Sequence, residues 1–264
     1  QKIFQMIHEQ KCFRAKVSEN SQLIQFDKLR ETHYSQTFRG FDQTLEKFVS
    51  INNLDLNFPD SWRHLQILLL QFKGEIEEVA SCHEILYDKD AQKMTVVRDC
   101  NYKLLSDYSQ FKLKNEIPWT NNQLLSLSLQ LFHQIYNLEL AGLCPISLVQ
   151  PQNLFLTPET HLLKFHNLSD FQQNQSKIKT PEMQLIMSSL IHILNPLISV
   201  ASHEQALLYF KKNHSEFLSA LESLESKLRE IRRLEDKNEL FNLIQTHRHH
   251  SPKREMFNEP EFNK

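Results

Sequence analysis

Apolar and basic residues alternate along Phe13-Arg14-Ala15-Lys16-Val17, and Ile3, Met6 and Ile7 lie across a polar break at His8 to Lys11. A period of two marks a half-buried strand, so residues 2–17 predict a hairpin of two short strands. Residues 18–60 are mixed and polar, with a helix expected at Phe41 to Val49. Pro59 and Asp60 read as a helix start with Asp60 as N-cap, leading into the apolar run Trp62 to Phe72. A second hairpin is expected over 79–100. There Ile85-Leu86-Tyr87 precede Asp88-Lys89-Asp90, and Met94, Val96 and Val97 follow.

Beyond Pro118 the period changes. Leu124, Leu127, Leu131, Ile135 and Leu138 recur at helical spacing, Thr120 and Gln123 have capping-box spacing, and Gly142 suits a left-handed stop. Leu154 to Leu156 and His161 to Phe165 read as two short strands. Pro181 and Glu182 open an apolar helix running to about Leu194. Phe217, Leu221, Leu224, Leu228 and Ile231 follow heptad spacing, and the chain from His247 is polar. Strands first and helices after predict an α+β protein: a small β-rich lobe and a larger helical one.

Composition narrows the function. Thirty basic against thirty-two acidic side chains among 264 residues carry no excess for nucleic acid. The apolar runs Leu65 to Leu70 and Leu185 to Leu194 are too short to span a bilayer. Gly40, Gly74 and Gly142 are the only glycines, which excludes phosphate-cradling loops built on clustered glycine. Cys12, Cys82, Cys100 and Cys144 are scattered with no C-x-x-C pair, so reduced thiols in an intracellular protein, cytoplasmic or cytoskeletal, are expected. Gln1 rather than Met leads, so the chain reads as a piece of something longer, with no secretory segment at this start.

Several stretches in order resemble the eukaryotic protein kinases. Phe13-Arg14-Ala15-Lys16-Val17 resembles V-A-I-K, with Lys16 at the phosphate-pairing lysine. His83 to Cys100 resembles the strand pair before the hinge. The helix Asn121 to Leu140 resembles the long helix before the catalytic loop. Gln150-Pro151-Gln152-Asn153-Leu154-Phe155-Leu156 resembles K-P-E-N-I-x-L, and Thr180-Pro181-Glu182 resembles A-P-E. The resemblance covers roughly residues 2 to 195. It implies a kinase-like fold: an incomplete β-rich N-lobe over 1–100 with an insertion at about 18–60, a larger mainly helical C-lobe over 101–200 with degenerate catalytic and activation loops, C-terminal helices over 201–246, and a disordered tail over 247–264.

The departures carry the functional expectation. Counted back from Asn153, H-R-D falls on Ile146, Ser147 and Leu148; counted forward, D-F-G falls on His166, Asn167 and Leu168. Leu148 cannot accept a proton, and imidazole is a poor ligand for hard Mg²⁺. The helix glutamate falls near Leu65 or Gln66, or on Glu46 if the helix at 41–49 plays that part. The resemblance therefore implies a pseudokinase: a non-catalytic scaffold or structural subunit of a larger assembly, with no cofactor, no metal, and Lys16 and Asn153 as vestigial nucleotide contacts. Lys16 equally suits a solvent-facing strand lysine, and Asn153 a loop-capping amide. Two other classes stay open. One is a divergent kinase recruiting Asp170, Glu159 or an upstream segment; the other is an unrelated α+β adaptor. His247, His249 and His250 suit a solvated tail rather than zinc, and Lys253 with Arg254 make a small basic patch. The stripe over 217–231 suits either a partner helix or the domain's own core.

Overall fold

The computed structural model describes residues 5, 6, 9, 13–15, 23–74, 76–100, 104–145, 149–157, 162–168, 171–173, 182–194 and 203–247. The chain divides into two compact units, Gln1–Lys103 with Lys164–Gln173, and Leu104–Leu163 with Asn174–Lys264. No described helix is long and apolar enough to cross a membrane.

Between Thr37 and Ile51, β-branched and aromatic residues outnumber good helix formers, and the stretch folds as strands. The helix expected at Phe41 to Val49 is a turn joining β3 (Ser35–Asp42) to β4 (Lys47–Asp55). Asp42 Oδ1 accepts from the Thr44 and Leu45 amides at 2.8 and 3.1 Å, and Glu46 takes a left-handed φ of 50°. That local bonding competes with helix and closes a hairpin. β2 (Leu23–Glu31) pairs antiparallel with β3, and β3 with β4. β5 (Cys82–Asp88) and β6 (Lys93–Asp99) make the hairpin expected over 79–100, and β6 pairs antiparallel with β4.

The hairpin expected over 2–17 does not appear among the described residues. Gln5 and Met6 are helical, and β1 (Phe13–Ala15) pairs instead in parallel with β5. The sheet order is β1-β5-β6-β4-β3-β2, five antiparallel strands with one parallel strand added.

Helix α1 (Pro59–Phe72) starts two residues earlier than the expected Asp60 cap implies. Phe58 is the N-cap and Pro59 fills the first turn, where its missing N–H costs nothing. Asp60 lies inside that turn and bonds His33 Nε2 at 3.0 Å. Leu65, Leu68 and Leu69 bury against Leu54, Leu56, Ile85, Met94 and Val96. On the other sheet face Val49, Ile51 and Val97 pack with Leu23 and Phe38.

In the second unit, α2 (Leu105–Lys114) precedes α3 (Asn121–Leu140), whose capping box forms as expected. Gln123 N–H donates to Thr120 Oγ1 at 3.2 Å, and Thr120 N–H to Gln123 Oε1 at 3.0 Å. Gly142 carries a φ of 79° just past the end. Helix α4 (Glu182–Leu194) occupies the stretch expected for it; α5 (His203–Asn213), α6 (Ser215–Leu234) and α7 (Lys237–His247) follow. α4, α6 and α7 pack on α3. Phe217, Leu221, Leu228 and Ile231 are buried, so the heptad stripe of 217–231 serves this unit's own core rather than an open docking face. The tail beyond His247, with His249, His250, Lys253 and Arg254, lies outside the described residues.

Gly40 is where the sheet leaves no space. A Cβ there would stand 2.6 Å from the Ile24 carbonyl oxygen and strike the Ile51 side chain. Gly40→Ala is expected to cost about 1–3 kcal/mol through that overpacking, read as a lower urea midpoint at unchanged slope.

Candidate functional site

Strand period sets which residues of β4 meet α1. Ser50, Asn52 and Leu54 share the helix-facing side, so two polar side chains enter the interior beside the leucine cluster. Helical spacing places His64 one turn before Leu68 on the buried side of α1. Ser50 and Asn52 are fully buried and His64 is 3% exposed.

Asn52 Nδ2 lies 3.5 Å from His64 Nε2, and Asn52 Oδ1 has no hydrogen-bond partner among the described residues. Burial, reinforced by the positive charge of Arg98, lowers the His64 pKa to about 3, so the imidazole is neutral. Arg98 is itself buried; its guanidinium donates to the Ala80 carbonyl at 3.1 Å and to Gln71 Oε1. Gln71 Nε2 in turn donates to the Ala80 carbonyl at 2.8 Å.

A later stretch of chain completes the layer. The Phe165 amide donates to the Glu78 carbonyl at 2.9 Å, and the Ala80 amide to the Phe165 carbonyl at 2.7 Å. These bonds carry the next two residues onto the sheet. His166 Nδ1 lies 3.2 Å from Ser50 Oγ and 3.1 Å from Asn167 Nδ2. Asn167 Nδ2 also donates to Thr37 Oγ1 at 3.3 Å. A hydroxyl and an amide nitrogen are thus both within hydrogen-bonding distance of the one ring nitrogen.

The layer therefore joins two hydroxyls, two amides and two imidazoles, of which that of His64 is neutral. The Ser50–His166 contact has the atoms of a nucleophile–base pair, with Ser50 fully buried and His166 1% exposed. Among the described residues no three His, Cys, Asp or Glu side chains cluster as metal ligands. The arrangement can hold β3, β4, α1 and the 164–173 stretch together; it offers no charge to a phosphate.

Of the residues singled out by sequence, His166, Asn167 and Leu168 come together in the first unit, all buried. Asn153 lies in the second unit, buried at the end of the single 3₁₀ turn Pro151–Asn153, with its amide on the Gln150 carbonyl at 2.9 Å. Glu46 sits in the β3–β4 turn, so it is not a helix glutamate. Leu65 belongs to the apolar core, and Gln66 lies beside it on α1. Lys16, Ile146, Ser147, Leu148, Glu159, Asp170, Thr180 and Pro181 fall outside the described residues. Sequence reading missed Thr37, Ser50, Asn52 and His64. The available signal was the β-rich run Val49-Ser50-Ile51-Asn52 just ahead of the Pro59 helix start. No protein-family model matches the chain, and no curated protein sequence matches it.

The neutral His64 gives stability a pH dependence. Unfolded, the imidazole takes up its proton near pH 6.5; folded, it does so only near 3. The contribution is complete above pH 6.5 and is lost as pH falls toward 3, by up to about 1.4 kcal/mol per pH unit. His64→Gln should flatten the slope of unfolding free energy between those limits. An unchanged slope in denaturant titrations would exclude His64 as its source.

Proposed function

We propose that this chain is a catalytically silent, protein kinase-like module that acts as a protein-interaction scaffold in an intracellular assembly. The observation that carries the reading is the Asn52–His64 contact. In the kinase family the nucleotide lysine sits on the third strand and pairs with a glutamate on the helix that follows. Here β4 is the third strand of an antiparallel run, and α1 follows it directly. On this reading Val49-Ser50-Ile51-Asn52 stands where V-A-I-K would, which moves the lysine position from Lys16 to Asn52 and the glutamate position to His64.

Both changes remove charge. An amide beside a neutral imidazole cannot hold the phosphates that an ammonium–carboxylate pair orients. His166-Asn167-Leu168 in the place of D-F-G removes the Mg²⁺ carboxylate, and its histidine is engaged with Ser50. Ile146-Ser147-Leu148 in the place of H-R-D removes the proton acceptor. Each such loss is worth roughly 10²–10⁴-fold in rate, and together they leave phosphoryl transfer without its machinery. What such a domain keeps is a shape, and a shape serves binding.

Titration with ATP and Mg²⁺ should leave the thermal midpoint unmoved. A ligand at 100 times its Kd would add about 2.7 kcal/mol, so a clear upward shift, or autophosphorylation, would favour the divergent kinase. A second test probes the pair itself. Asn52→Lys should destabilise by about 3–5 kcal/mol, an ammonium buried against a neutral ring. Adding His64→Glu should restore part of that loss. A double variant no more stable than Asn52→Lys alone would count against these positions as the former pair.

A further inference from the structure

Helices α5 and α6 of the second unit each carry two stripes. The inward ones meet the core: Ala206, Phe210, Phe217 and Leu221 are buried, and the Phe210 and Phe217 rings stand 5.1 Å apart. The outward ones border a groove of 710 Å³. Its α5 wall is Glu204, Leu207, Leu208 and Lys211, and α6 adds Leu218. Leu208 is 67% exposed, the most open large apolar side chain among the described residues.

The charges on the α5 wall are placed symmetrically. Glu204 and Lys211 lie one heptad apart, so both stand in the row that holds Leu207 and Leu208. Each is the same distance from the midpoint of the two leucines, about 5 Å along the axis. Neither is committed to an ion pair among the described residues. The helix dipole alone favours an acid in the first turn and a base in the last. It does not explain leucines set outward between them.

A two-fold axis through that midpoint does explain them. It lays a second α5 antiparallel on the first, with Leu207 on Leu207 and Leu208 on Leu208. Glu204 of each copy then stands over Lys211 of the other. We infer that this groove is the interface of a symmetric dimer, its occupant the α5 helix of a second copy of this chain. Two short helical faces lie at the small end of specific interfaces, so the dimer is weak, with a Kd of roughly 10–100 µM. The inference uses the second unit alone and is independent of the nucleotide-site reading; it would stand if Mg-ATP bound.

Light scattering of the full chain from about 1 to 300 µM should show the mass rise twofold. Leu208→Ser should keep the thermal midpoint and hold the chain monomeric. Glu204→Lys and Lys211→Glu each set like charges across the axis, and each should weaken association about tenfold. Mixed in equal amounts, these two variants should associate as well as the original chain, because every charged contact then opposes Lys to Glu. A chain monomeric throughout the range would overturn the proposal. So would a dimer indifferent to Leu208→Ser, or charge variants that associate no better mixed than apart. Should Leu208→Ser fail to fold, the charge variants and their mixture decide alone.

Discussion

Hydrogen-bonding groups buried without charge between β4 and α1 set the terms for the rest of the first unit. Taking an isolated ion into such an interior costs several kcal/mol even after relaxation, whereas amides, hydroxyls and neutral imidazoles are tolerated once they are paired. Ser50, Asn52 and Thr37 on the sheet, neutral His64 on the helix, and Asn167 on the later stretch are all of that kind, and His166 is buried beside them. Arg98, a buried charge near His64, turns its guanidinium to the Ala80 carbonyl and the Gln71 amide. Its field is one reason His64 stays unprotonated. A single positive charge thus reinforces the effect of burial on His64.

The same layer explains why residues 164–173 belong with strands more than sixty positions earlier in the chain. Backbone bonds from Phe165 to Glu78 and Ala80 set the register, and the side chains of His166 and Asn167 fasten it to β3 and β4. Polar contacts of this kind are directional. They specify one docking of the segment where a purely apolar surface would accept several. On the kinase-like reading, a segment that once answered to metal and nucleotide is held permanently by the protein itself. The cost shows at Asn52 Oδ1, a buried acceptor without a partner among the described residues, worth about 1–3 kcal/mol of desolvation.

What the sequence revealed follows from how each element is buried. Helix α3 and the β5–β6 hairpin have strong local signatures: an apolar stripe with a capping box in one, apolar strands around a polar turn in the other. Both formed where expected. β3 and β4 lie in the middle of the sheet with both faces covered, and one cover is polar. Ser50 and Asn52 then look like surface residues, the apolar alternation is masked, and the stretch reads as featureless. Phe13-Arg14-Ala15-Lys16-Val17 has the spelling of V-A-I-K, and its first three residues form a strand. The partner of that strand, β5, lies some seventy residues away, and no local pattern announces it. Sites assembled from three distant stretches are the least legible of all: His64, Asn52 and His166 share no spacing that chemistry would single out.

Helix α6 bears on where a scaffold could make its contacts. Its heptad spacing is the strongest partner-like signal in the chain, yet Phe217, Leu221, Leu228 and Ile231 already lie against the core around α3. Lending that stripe to another protein means exposing it first, at about 1.5–3 kcal/mol for each large side chain. A binding partner would have to recover several such terms before gaining any affinity. Arg232 adds to the barrier, since its guanidinium holds Glu139 of α3 at 2.5 Å. The heptad pattern in this protein is therefore a record of internal packing. On the proposed scaffold reading, contacts would run through faces other than this buried stripe.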